Sequence, residues 1–155
     1  MIVTLGFLKN IVIAEYTVQG KSMQPTLLEG HHFSINKWSY LFQDIERFDI
    51  IVFHTEQDEQ PLVKRVIGLP GEKIEYKNDQ LFVNGKKIKE PFLQKNKENI
   101  YGNQLTGDFT LEEITGKKKI PEGHIFVIGD NRLNSRDSRH FGFVKMDQVI
   151  GKVNR

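Results

Sequence analysis

The chain has 155 residues, 38% of them hydrophobic and 27% charged, the make-up of one folded domain with a real core and not of a disordered segment. A formal net charge of +2 is too mild to argue for a nucleic-acid partner. Cysteine is absent, which excludes disulfides, thiolate catalysis and thiolate metal sites.

Residues 1–14 are apolar apart from Thr4, Lys9 and Asn10. Crossing a bilayer takes about 20 apolar residues, so the run is short and Lys9 interrupts it. It lacks the basic start and small-residue exit of a cleaved signal peptide. A buried first strand, an interfacial segment and the tail of a membrane anchor all remain open on composition. Ile11-Val12-Ile13 and Glu15-Tyr16-Thr17-Val18 read as extended. They lead into Gly20-Lys21-Ser22-Met23-Gln24-Pro25-Thr26-Leu27, a turn in which burial of Met23 draws the Ser22 hydroxyl toward a partly closed site. A lone turn serine is usually a surface residue, because a reactive one needs a base within reach.

His32 to Lys37 alternates apolar and polar residues, a half-buried strand. Trp38 to Phe48 is aromatic-rich and fits either a hairpin or a short helix. Asp49 to His54 reads as a buried strand, closed by a polar turn and Pro61. Leu62-Val63-Lys64-Arg65-Val66-Ile67 then sets a lysine inside an apolar strand. Leu62, Lys64 and Val66 share one face, and Val63, Arg65 and Ile67 the other. Desolvation disfavours an ammonium there and lowers its pKa, the change a lysine general base requires.

Glu72 to Ile88 reads as a three-stranded meander, with turns at Asn78-Asp79 and at Asn84-Gly85, the latter a type I′ signal. Gln94 to Lys119 is polar and reads as loop or inserted-lobe material, its Lys117-Lys118-Lys119 run a solvated face. Ile125 to Ile128 is another buried strand. It runs into Gly129-Asp130-Asn131-Arg132-Leu133-Asn134-Ser135-Arg136-Asp137-Ser138-Arg139, where aspartates and arginines are dense enough to pair with one another. Phe141 to Val144 and Gln148 to Val153 close the chain as strands.

Other motifs carry less. Gly20-Lys21-Ser22-Met23-Gln24 has Gln24 where a nucleophile elbow has its second glycine. Ser34-Ile35-Asn36-Lys37 matches the Ser-x-x-Lys of β-lactamases without their other motifs. The five histidines show no ligand spacing, so neither metal nor other cofactor is expected. A Ser-His-Asp triad through His54 or His140 is open on spacing, since triads are spatial, but leaves the placement of Lys64 unexplained.

Three stretches, Gly20 to Leu27, Val63 to Gly71 and Gly129 to Arg139, taken in that order, resemble the bacterial type I signal peptidases of Gram-positive type, membrane-anchored Ser/Lys endopeptidases of the secretion pathway. The resemblance runs from about Tyr16 to Val153. It implies a mostly β fold: a twisted antiparallel sheet or partial barrel as catalytic core (residues 15–73 and 120–155), a smaller β-rich lobe inserted at 74–119, and residues 1–14 as the remnant of an N-terminal anchor. It makes Ser22 the nucleophile, Lys64 the general base and Ser135 the hydroxyl that orients the lysine. Asp130, Arg65, Asp137 and Arg139 match supporting ion-pair residues, and Tyr16, Val18, Met23, Val52 and Val63 match small apolar substrate pockets. The implied substrates are signal peptides of secreted preproteins, cut after Ala-x-Ala at a membrane lipid surface, with the catalytic part on the extracytoplasmic face. Two departures stand out. Gly20 replaces a serine that donates to the oxyanion in some members, and Phe48 replaces the glycine that often precedes Asp49, where a turn is expected to change.

Two rivals share parts of this pattern. A Ser/Lys autoprotease of the SOS-repressor type needs an internal Ala-Gly or Cys-Gly bond and a DNA-binding head, and neither is present. A catalytically inactive β domain that binds extended peptides would have no need to keep both Ser22 and Lys64.

Overall fold

The computed structural model describes residues 13–36, 45–100 and 102–153. The expectations for residues 1–12 and for most of the Trp38–Phe48 stretch fall outside them. Eleven strands form among the described residues: β1 (Ile13–Thr17), β2 (His32–Asn36), β3 (Ile50–Phe53), β4 (Leu62–Gly68), β5 (Ile74–Lys77), β6 (Gln80–Val83), β7 (Lys86–Ile88), β8 (Phe109–Thr110), β9 (His124–Ile128), β10 (Val144–Lys145) and β11 (Val149–Val153). They build a seven-stranded sheet in the order β1-β2-β11-β3-β4-β9-β10 and a four-stranded sheet in the order β7-β6-β5-β8. Every pairing is antiparallel. The mostly β expectation holds.

The middle of the large sheet, β3, most of β4 and β9, is buried on both faces, which explains why β3 and β4 read as continuous apolar runs and not as alternating ones. Ile51, Phe53, Val66, Ile125 and Val127 form a core on one face. Ile67, Phe126 and Ile128 pack on the other, against Ile74, Tyr76, Leu81 and Val83 of the small sheet. The two sheets therefore share one core. Gly68 permits a close approach there, since a Cβ would run into Ile120 and Ile74.

The meander forms as read. Asn78, Asp79, Asn84 and Gly85 all take positive φ, the requirement of two type I′ turns. The polar stretch 94–119, read as loop or inserted-lobe material, is more than loop: it holds α1 (Gln94–Glu98), β8 and α2 (Leu111–Thr115). Helix α2 starts at a capping box in which Thr110 and Glu113 satisfy each other's backbone N–H, and it stops at Gly116 with φ 72°. Both signals were written in the sequence.

Phe48, in the turn before β3, is left-handed with φ 74°, uncommon for a bulky side chain. Its ring packs edge-on against Phe92 with centroids 5.1 Å apart, and its carbonyl accepts from Arg65 at 2.8 Å. Packing and this bond hold the conformation that glycine would adopt freely.

Candidate active site

Strand β4 carries two cations to opposite faces of the sheet. In register, Lys64 lies opposite Ile51 and Arg65 opposite Ile50. Both are buried, each with 3% of its surface exposed. Lys64 Nζ donates to Ser22 Oγ and to its neighbour's carbonyl, Val63 O, both at 2.9 Å. Burial lowers its pKa from 10.5 to about 8 against the opposing pull of the Asp137 and Asp58 carboxylates, and the Arg136 charge adds to the lowering. An amine so placed is substantially neutral near pH 8 and can take a proton from the hydroxyl it touches.

Ser22 sits on a turn fixed from beneath and from the side. Met23 is 1% exposed and anchors the turn. Gly20 suits the turn through its φ of 80° and not through close packing, since nothing lies within 4 Å of where a Cβ would stand. The Ser22 carbonyl accepts from Asn131 N at 2.9 Å, and Asn131 Nδ2 donates to Lys21 O at 3.0 Å. Thr26 Oγ1 donates to Asp130 Oδ2 at 2.5 Å.

Asp130 is the hub on the far side. Fully buried, it accepts from Arg65 Nε at 2.8 Å and Arg65 Nη2 at 2.6 Å, a bidentate pair. The Arg65 guanidinium lies 3.9 Å above the Phe92 ring. Asn96 on α1 donates to the Asp130 carbonyl at 2.6 Å, which ties the small sheet's helix to this loop. Arg132 is buried in the same way, donating to Glu90, Thr106 and Tyr76.

Asp137 organises the rest of the loop. It accepts from Gly129 N at 3.0 Å, from Ser135 Oγ at 2.7 Å and from Arg139 Nε and Nη2 at 2.9 Å each. Burial alone would raise its pKa, but the bonds and charge of Arg139 outweigh it and hold the carboxyl below the usual range, as do Gly129 N–H and Ser135. Ser135 Oγ thus donates to Asp137, and the Asp137 carboxylate favours the charged form of Lys64. Gly129 is packed against both partners. A Cβ there would collide with the Ser135 hydroxyl and the Ser22 carbonyl, so Gly129→Ala is expected to lower turnover at Ser22 by about a hundredfold, the cost of moving reacting groups by roughly 1 Å. Steady-state kinetics with the fold checked by circular dichroism would measure it.

The serine and lysine open onto a cavity of about 380 Å³ lined by Glu15, Tyr16, Thr17, Val18, Gln19, Ser22, Phe33, Val52, Gln60, Pro61, Leu62, Val63 and Lys64. Four of the five residues expected to form pockets lie on it. Met23, the fifth, is buried beneath the turn. The cavity runs between two strand edges. β1 ends the large sheet, and β9 pairs with β4 only from Arg65 onward, which leaves Leu62 to Lys64 without a strand partner on that side among the described residues. Asp58, Arg136, Thr26, Asn96 and Asn131 join the site without having been singled out from the sequence.

A family profile described as signal peptidase, peptidase S26, matches residues 1–155. The chain belongs to this family. It is 58% identical over 147 residues to a signal peptidase I from Bacillus caldolyticus, covering 95% of this chain and 80% of that protein. Signal peptidase I V of Bacillus subtilis is 50% identical, with 94% and 86% covered. Signal peptidase IB of Staphylococcus aureus is 41% identical, with 98% and 81% covered. Among solved structures, a signal peptidase I from Enterococcus faecalis V583 superposes with a TM-score of 0.70 at 46% identity, covering 72% of this chain and 98% of that one. Family membership makes the chain a peptidase and removes the SOS-repressor reading. No helix among the described residues is long and apolar enough to cross a membrane.

Proposed function

We propose that this chain removes signal peptides from secreted preproteins by cutting after small residues, with Ser22 as nucleophile and Lys64 as general base. The observation that carries the reading is the 2.9 Å contact between Lys64 Nζ and Ser22 Oγ at the floor of a cavity bounded by two open strand edges. An extended peptide adds there by main-chain hydrogen bonds. Its small side chains then face Tyr16, Val18, Val52 and Val63.

Neutral Lys64 takes the Ser22 proton as Oγ attacks the scissile carbonyl carbon. The Ser22 backbone N–H donates to the oxyanion that develops. Protonated Lys64 then delivers its proton to the departing amine as the C–N bond breaks, leaving an acyl ester on Ser22. Water, deprotonated by the again neutral Lys64, attacks the ester; the C–O bond to Ser22 breaks as Lys64 returns that proton to Oγ, and the acid product leaves. Arg65, Asp130, Asp137 and Arg139 act by holding the two loops against β4. Cleavage takes place at the membrane surface, on its extracytoplasmic side, with the apolar residues 1–14 as the remnant of an anchor.

The test is cleavage of a synthetic Ala-x-Ala signal peptide in detergent, with products identified by mass spectrometry. Cleavage after the second alanine is expected, lost in Ser22→Ala and in a peptide with phenylalanine in place of that alanine. Cleavage that persists in Ser22→Ala, or none by the unaltered chain in detergent, refutes the assignment.

A further inference from the structure

The turn between β3 and β4 forms one wall of the cavity through Gln60 and Pro61. It is held from a distance of 78 residues in sequence. Arg136 Nη1 donates to both Asp58 carboxylate oxygens at 2.9 Å, and Arg136 Nη2 donates to Gln57 Oε1 at 2.9 Å. The same Asp58 accepts from Thr55 Oγ1 at 2.6 Å, which folds the turn on itself. On the other side the guanidinium lies 5.4 Å from the Phe141 ring. Arg136 stands between Ser135 and Asp137, two residues bound up with the surroundings of Lys64.

We propose that Arg136 is a positioning residue whose clasp on Asp58 and Gln57 fixes the β3–β4 turn as the wall of the peptide cavity beside Lys64. The inference rests on the proposed peptidase reading. The pair is partly exposed, 49% for Arg136 and 24% for Asp58, so it contributes little to stability. Its effect is on where the wall stands and on the charge balance at the amine. Asp58 favours the charged form of Lys64 and Arg136 disfavours it. The other ionisable groups near the amine are Asp137, backed by Arg139 and His140, and Glu15 and Tyr16 across the cavity. Lys21, on the serine turn, is exposed.

Two single variants and their exchange test this. Arg136→Gln and Asp58→Asn should each raise the KM for the Ala-x-Ala peptide about three- to tenfold, with thermal midpoints nearly unchanged, since loss of an exposed pair is a small stability effect. Followed by NMR at its Cε, the Lys64 titration should move upward in Arg136→Gln and downward in Asp58→Asn, by a few tenths of a pH unit each. The double exchange Asp58→Arg with Arg136→Asp should return KM toward that of the unaltered chain. A role in stability alone predicts a fall in thermal midpoint and no change in KM. Unchanged KM in the single variants, titrations that stay put or move together, or no recovery in the exchange overturns the clasp. If the unaltered chain leaves the peptide uncut, the peptidase reading fails. Amide exchange over the β3–β4 turn, which should quicken in both single variants, still decides the clasp by itself.

Discussion

Replacing Lys64 by methionine is expected to abolish peptide cleavage, by on the order of a thousandfold or more in kcat, the typical worth of a positioned general base. The side chain fits the same slot, so the fold should persist and the loss should be chemical. In the unaltered protein, kcat/KM should climb tenfold per pH unit and level off above about 8, where the buried amine loses its proton. At pH 6 only about one molecule in a hundred carries the neutral amine, so the rate should be about a hundredfold below the plateau. A profile flat from pH 6 to 9 would remove Lys64 from the role of base.

The same substitution should make the protein more stable at neutral pH. Lys64 has a folded pKa of about 8 against 10.5 for the ordinary lysine, so between these values the unfolded chain binds more protons than the native one. Stability on this group's account is therefore greatest above 10.5 and falls as pH drops toward 8. Below 8 the native state carries a buried ammonium at full cost, roughly 3 kcal/mol from the gap. Lys64→Met removes that cost, and urea unfolding at pH 7 should show the gain. Ser22→Ala, which leaves the ammonium buried, should show none of it. Activity and stability oppose each other at this one side chain because catalysis needs the desolvation that folding resists.

How much of this was legible in the sequence depended on whether the signal was local. β3 and β4 announced themselves because a sheet covered on both faces requires unbroken apolar runs, and Lys64 stood out against that background. The two type I′ turns were readable from Asn-Asp and Asn-Gly. Helix α2 was just as readable, since Thr110, Glu113 and Gly116 mark its ends, but the surrounding polarity obscured it. The shared core of the two sheets was not readable, because Gly68 shows its meaning only when Ile74 and Ile120 are seen against it. Asp58 looked like any turn aspartate, and its partner Arg136 lies 78 residues away. The bond that Ser135 donates to Asp137 was likewise unmarked, since the motif does not show which groups its hydroxyl meets.

Asp130→Ala should be the most destabilising single change among the site's charged residues. Asp130 is fully buried, and its removal leaves the Arg65 guanidinium, 3% exposed, with only the Phe48 carbonyl and the Phe92 face. Breaking one side of a buried pair costs about 3–5 kcal/mol because a charge is left uncompensated. For a domain of this size, that is a fall of about 10 °C in thermal midpoint. Activity should suffer further, since the Thr26 hydroxyl loses the acceptor that ties the serine turn to the loop. Two further variants separate these effects. Arg65→Met with Asp130→Leu removes both charges and should recover much of the midpoint, without restoring cleavage. Thr26→Val should leave the ion pair in place, lower the midpoint only slightly and still slow turnover. If the double variant cleaved as fast as the unaltered chain, the pair would be packing alone. If it stayed as unstable as Asp130→Ala, the cost would lie in lost shape and not in the stranded charge.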